Sequence, residues 1–92
     1  MIRSFKDLET RRFYEKHKTV AFQKFADQAV RRLTLLDNAE ALRDLVALPS
    51  NRLELLRGDR AGQFSIRINA QWRICFRWTN DGPCDVEIVD YH

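Results

Sequence analysis

No apolar run in this chain is long enough to span a bilayer, there is no repeat or low-complexity tract, and Met1–Lys6 carries no apolar stretch of the kind a secretory signal needs. A soluble cytoplasmic protein with no membrane partner is therefore expected. Cysteine is sparse, with only Cys75 and Cys84; they form no CxxC pair and have no histidine pair nearby. This spacing predicts no metal and no cofactor, and both thiols are expected reduced although they flank the turn of an expected hairpin. Lysine is missing from the second half, where every basic residue from Arg52 onward is an arginine.

What the sequence does contain is enough to fold. It has 92 residues, 45% of them hydrophobic, with six Phe, two Tyr and two Trp. One domain over residues 1–92 is expected, near the size at which a single core suffices without staples. The net charge of +3 understates the local pattern. Arg52, Arg57, Arg60, Arg67, Arg73 and Arg77 are opposed before Asp81 only by Glu54 and Asp59. Guanidinium forks suit phosphate oxygens, but the same charges also keep a solvated strand face from aggregating.

Periodicity divides the chain into a helical half and a sheet half. Ile2–Phe5 reads as an opening strand, Lys6–His17 as a first helix, and Val20–Leu36 as a helix with one buried stripe of Phe22, Phe25, Ala26, Ala29, Leu33 and Leu36. Asp37-Asn38 should break that helix and cap a short one over Ala39–Leu45, and Pro49-Ser50-Asn51 closes the helical half. From Leu53 the period changes to 2, with strands expected over Arg52–Arg57, Phe64–Asn69, Trp72–Trp78 and Cys84–Tyr91, joined by turn-forming segments. The expected fold is α+β, the N-terminal strand and helices packed on one face of an antiparallel sheet.

Alternation then assigns faces. Trp72, Ile74, Phe76 and Trp78, with Phe64, Ile66, Ile68, Val86, Ile88, Leu53 and Leu55, should face the helices. Arg67, Arg73, Arg77, Glu87, Val89 and Tyr91 are left on an open face, with Glu54 and Arg57 near it. The chain closes on Asp90-Tyr91-His92. His92 has two negative neighbours, Asp90 and the terminal carboxylate, that favour its protonated form; a frayed, solvated terminus is the bland alternative. Together these groups have the ingredients for RNA cleavage: one activates the ribose 2′-hydroxyl, another protonates the leaving 5′-oxygen, and arginines stabilise charge developing on phosphorus. A protein-binding face has the same ingredients. Since neither Arg73 nor His92 belongs to the expected core, replacing either should remove activity and spare the fold.

The pattern LxGDRxGxxSIRxNxxWRIxFxW from Leu56 to Trp78, with its flanking Arg52–Leu55 and the closing DVEIVDYH of Asp85–His92, resembles the HigB toxins of bacterial type II toxin–antitoxin systems. The likeness extends to Met1–Phe5 and to the length. It implies a RelE-like fold and a ribosome-dependent endoribonuclease that cuts mRNA in the ribosomal A site, with a 2′,3′-cyclic phosphate expected. It also implies a HigA-type helix-turn-helix antitoxin, and contact with operator DNA only through the antitoxin complex. Carried over by position, His92, Tyr91, Asp90, Arg73 and Glu54 become the catalytic set, and Arg57, Arg60, Arg67, Gln71 and Arg77 the RNA contacts. Glu54 stands where some members have histidine, and Gln71 where some have asparagine. The other readings are a ParE-like gyrase inhibitor, which needs no RNase site, and a non-catalytic antitoxin-binding protein.

Overall fold

The computed structural model describes residues 1–16 and 19–90. Three helices, α1 (Leu8–Lys16), α2 (Ala26–Asn38) and α3 (Leu42–Val46), precede four strands, β1 (Glu54–Leu55), β2 (Phe64–Arg67), β3 (Trp72–Thr79) and β4 (Gly82–Asp90). The strands form one antiparallel sheet in the order β1-β2-β3-β4. Phe13, Leu33 and Leu36 from the helices and Phe22 from the segment between them pack with Ile66, Ile74, Phe76 and Val86 in one buried cluster. The α+β expectation, helices on one face of an antiparallel sheet, is what is found.

Local hydrogen bonds explain where the elements start and how they are joined. Asp7 caps α1, its Oδ2 accepting the Thr10 backbone N–H at 3.0 Å. The buried Thr10 hydroxyl then accepts the Ile88 N–H at 3.1 Å, tying α1 to β4. Asn51, fully buried, donates to the Leu45 carbonyl at 3.0 Å and accepts from Arg32 at 2.6 Å. These two contacts fix the chain as it leaves the helical layer.

Several expected boundaries shift. The opening segment is extended but forms only a parallel bridge between Phe5 and Val86, flanked by backbone bonds from Arg3 to Pro83 and from Val86 to Ser4. Asp85, at φ 51°, bulges β4 here, so Asp85 and Val86 together oppose the single residue Phe76 and regular pairing is interrupted. Gly82 is required beside it: φ is 122°, and a Cβ would sit 2.6 Å from the Met1 carbonyl oxygen.

The expected Val20–Leu36 helix is a 3-10 turn, Gln23–Phe25, followed by α2. Phe25, at φ −132° and ψ 28°, breaks the helical path so that both it and Phe22 can reach Trp72, at ring separations of 4.9 and 5.9 Å. Asp37 does not end the helix; α2 runs through Asn38, and the Asp37 carboxylate accepts the Ile2 N–H at 2.7 Å and the Tyr14 hydroxyl at 2.9 Å. The first strand of the sheet half shrinks to two residues because Arg52 takes a left-handed conformation at φ 45°. Leu55 is consequently 64% exposed, and Leu56 is buried in its place.

Candidate active site

The second face of the sheet is less open than alternation predicts. Ser65 and Cys75 are fully buried and Arg73 is only 8% exposed. The chain between Arg52 and Gln63 folds back over them, held by the Leu56 N–H to the Gln63 carbonyl and by Arg60 to Glu87. Arg73 is therefore enclosed by polar partners rather than set on a solvated surface, because an arginine on this face can bury its stem while its donors find acceptors in the covering segment.

Its guanidinium is held from several sides. Nε donates to Ser65 Oγ at 2.8 Å, Nη2 to the Arg52 carbonyl at 2.6 Å, and Nη1 lies 3.8 Å from Glu54 Oε1. Register explains the grouping: Glu54 faces Ser65, and Arg67 faces Arg73, which in turn faces Val89. The left-handed Arg52 carries a conformational cost of about 1–2 kcal/mol that aims its carbonyl at Arg73. A guanidinium preorganised in this way suits charge developing on a phosphate, since its orientation is fixed before substrate arrives.

Other expected site residues gather at the same end of the sheet. Asp90 pairs with Trp72, and its Oδ2 accepts from Gln71 Nε2 at 2.9 Å. By alternation Asp90 belongs to the helix-side face, opposite that of Arg73. Arg67 donates Nε to the Asn69 carbonyl at 3.0 Å, which draws its stem along the β2–β3 turn. Glu54 is more than half exposed and offers an acceptor beside Arg73. Tyr91 and His92, together with His17, lie outside the described residues.

The remaining expected RNA contacts are more dispersed. Arg60 Nη1 bonds Gln63 Oε1 at 3.2 Å and Glu87 Oε2 at 3.1 Å, and Lys6 Nζ approaches the same carboxylate at 3.4 Å. Arg77 faces Cys84 towards the far end of β3, 3.7 Å from the half-exposed Asp85 carboxylate. Arg57 is exposed at the entry to the 3-10 turn Gly58–Arg60. Glu87, Lys6, Ser65 and Cys75 did not figure among the expected site residues, although Ser65 and Glu87 share the Arg73 face by simple alternation. Burial raises the Cys75 thiol pKa; the Arg60, Arg73 and Lys6 cations oppose that rise and Glu87 adds to it. Cys75 faces Glu87 and Cys84 faces Arg77, so the two thiols are not a cross-strand pair. Among the described residues no His, Cys, Asp and Glu cluster could hold a metal ion, and no helix is long and apolar enough to cross a membrane.

Residues 3–92 match the model of a HigB-like toxin family, the RelE-like toxin of the type II toxin–antitoxin system HigB. Toxin HigB-1 of Vibrio cholerae is 37% identical over 95 residues, covering all of this chain and 98% of that protein. Endoribonuclease HigB of Proteus vulgaris is 33% identical over 93 residues, covering both chains in full. Among solved structures, the YoeB–YefM complex of Staphylococcus aureus superposes with a TM-score of 0.62 at 18% identity, covering 100% of this chain and 98% of that one. The YoeB/ParE toxin of Agrobacterium tumefaciens gives 0.53 at 24% identity, with 98% of each chain covered.

Proposed function

The chain belongs to the HigB-like toxin family of type II toxin–antitoxin systems, and we propose that it is an endoribonuclease that inhibits translation by cutting mRNA in the ribosomal A site. The observation that carries this is the pinned guanidinium of Arg73, poised among Ser65, the Arg52 carbonyl and Glu54 at the sheet end where β4 delivers Asp90. The name of the Proteus vulgaris relative, an endoribonuclease, supports the same reading.

The reaction needs only the substrate's own nucleophile. The ribose 2′-oxygen bonds to phosphorus as its proton passes to a base, and the bond from phosphorus to the 5′-oxygen breaks as that oxygen takes a proton from an acid. A 2′,3′-cyclic phosphate and a free 5′-hydroxyl result. Arg73 stabilises the negative charge on the non-bridging oxygens; the Glu54 carboxylate, or Tyr91 or His92, exchanges the protons; and Asp90 orients them. Arg57, Arg60, Arg67, Gln71 and Arg77 contribute contacts to the RNA, mostly to phosphates. Residues 1–92 act as one toxin domain in the cytoplasm, neutralised by a HigA-type helix-turn-helix antitoxin that carries the complex to operator DNA. The antitoxin in the YoeB–YefM complexes of the same fold supports an antitoxin partner in general.

A translation reaction on a defined mRNA, with and without ribosomes and with the 3′ ends mapped, tests the proposal. Cleavage only with ribosomes, at A-site codons and leaving cyclic phosphate, is the expected result. Intact message alongside growth arrest in cells would point instead to a gyrase-type target.

A further inference from the structure

A cleft of about 470 Å³ opens on the helix side of the sheet, between the Val20–Gln28 segment and the β2–β3 turn, beside Gln71. We infer that this cleft is a nucleobase subsite, taking one base of the RNA strand that passes Arg73, with Trp72 as its stacking surface and Asn69, Gln71, Lys24 and Gln28 as its polar rim. The inference rests on the ribonuclease reading for where the strand comes from, and deepens it by assigning residues of the helical layer to substrate recognition.

The side-chain chemistry fits a base better than an apolar partner. Trp72 is partly exposed and backed by Phe25, with ring centroids 4.9 Å apart, so its indole is held as a rigid platform. Unpaired bases bind proteins by stacking on such faces and by hydrogen bonds along their edges. Asn69 Oδ1 is spent on the backbone N–H groups of Gln71 at 2.9 Å and Trp72 at 2.8 Å, which leaves its NH2 as a donor in the cleft lining. Gln71 Nε2 is spent on Asp90, which leaves its Oε1 as an acceptor. A donor and an acceptor of fixed orientation beside an aromatic face are what a base edge requires. Lys24 adds a cation for the adjoining phosphate. The volume lies at the small end of the range of ligand pockets, about 300–1,000 Å³, and suits one nucleoside.

Continuity with the proposed site is direct. Gln71 lines the cleft and bonds Asp90, so one side chain touches both. A strand whose scissile phosphate lies on Arg73 needs only to turn over the end of β3 to place a neighbouring base against Trp72.

Two readouts test the subsite. In the first, the Trp78→Phe protein, whose sole remaining indole is Trp72, is titrated with a short single-stranded RNA carrying 2′-O-methyl riboses, alone and bound as message in the ribosomal A site. Abasic nucleotides are placed at each position in turn. In the second, cleavage patterns and KM in the translation reaction are compared for wild type, Lys24→Ala, Gln28→Ala and Asn69→Asp. The last variant retains the turn-forming oxygen and loses the donor.

Quenching of Trp72 that is lost on removing one particular base is expected, with affinity falling roughly tenfold as for loss of a stacked base. The variants should raise KM by a similar factor, hold kcat, and flatten the preference at one position beside the cut. Wild-type cleavage with unchanged KM and pattern in all the variants would overturn the subsite and leave the ribonuclease reading standing. Base-dependent quenching without any cleavage would keep the subsite and sink that reading. Quenching indifferent to every base, or no quenching in either setting, overturns the inference. Loss of antitoxin binding by variants that bind RNA normally would make the cleft a protein contact, and overturns it as well.

Discussion

Replacing Arg73 with alanine should disturb the fold as well as the chemistry, contrary to what its place in the sequence pattern implies. The guanidinium is 8% exposed and donates to Ser65 Oγ at 2.8 Å and to the Arg52 carbonyl at 2.6 Å. Alanine leaves the buried Ser65 hydroxyl without its donor, frees a strained Arg52 carbonyl and opens a void. A buried polar group stripped of its partner costs about 1–3 kcal/mol. Because Arg52 is exposed and water can re-solvate its carbonyl, a loss of about 2–3 kcal/mol follows from that range for the whole change. That is a large part of a small domain's total of about 5–15 kcal/mol. Arg73→Lys separates the two effects. An ammonium retains the charge and one bond but cannot serve Ser65 and Arg52 while presenting a planar fork to phosphate. It should unfold at nearly the wild-type urea concentration yet cleave about 10²–10³-fold more slowly, the usual consequence of losing a preorganised donor. Urea denaturation followed by circular dichroism, paired with single-turnover cleavage on programmed ribosomes, reads both quantities. An unchanged midpoint for Arg73→Ala would refute the embedded guanidinium, and wild-type cleavage by Arg73→Lys would refute its role as a fork.

Thr10→Val, which preserves shape but removes the acceptor of the Ile88 N–H, should destabilise the fold by about 1–3 kcal/mol, with Thr10→Ser recovering most of it; equal denaturation midpoints would show that α1 and β4 are not tied through this hydroxyl. Under native conditions iodoacetamide should modify Cys84 slowly and leave the fully buried Cys75 unmodified, since burial raises both thiol pKa values and Cys75 is closed to reagent; mass spectrometry showing equal labelling would contradict the packing of the second face. The Asp44 carboxylate accepts the Glu40 and Ala41 backbone N–H groups, and these bonds hold its pKa below the ordinary carboxylate value. A depressed acid stabilises the fold above its unfolded pKa, and that stability is lost as pH falls through the folded value. Asp44→Asn should accordingly flatten part of the acid limb of a stability-against-pH curve, and an unaltered limb would count against the cap.

The sheet half was the more legible part of the sequence, because strand alternation in Phe64–Arg67 and Trp72–Thr79 is driven by burial on one face and leaves a period that reads directly. Reading failed where a backbone conformation interrupted the period. Nothing in the residue type announces that Arg52 is left-handed, and that one torsion shortens β1, exposes Leu55 and brings a carbonyl onto Arg73. The same limit applies to the helical half, where Phe22 and Phe25 fit a helical stripe but are drawn instead towards Trp72. Of the residues picked out from sequence, Glu54 lies 3.8 Å from Arg73 and Arg67 is its register partner, while Gln71 bonds Asp90 on the helix-side face of the same sheet end. The burial of Arg73 could not be read, because the segment that covers it is held by backbone and ion-pair contacts from residues distant along the chain.

Covering Arg73 also has a consequence for substrate choice. An exposed arginine face would attract any polyanion, and would bind duplex and single strands alike through phosphate charge. A guanidinium that is largely buried among its own acceptors is open only to a phosphate whose backbone can approach closely with its bases turned aside, which favours an unpaired, splayed strand. With Arg73 on one face of β3, the Trp72 cleft on the other and Gln71 bonded to Asp90 at the strand's end, phosphate and base would be met on opposite sides of the same sheet edge. A duplex is too stiff to divide in that way. Binding of a 2′-O-methyl RNA by the free protein should therefore fall steeply once the strand is annealed to its complement, even at low salt where charge attraction is strongest, and comparable affinity for paired and unpaired strands would argue that Arg73 is far more open than its hydrogen bonds imply.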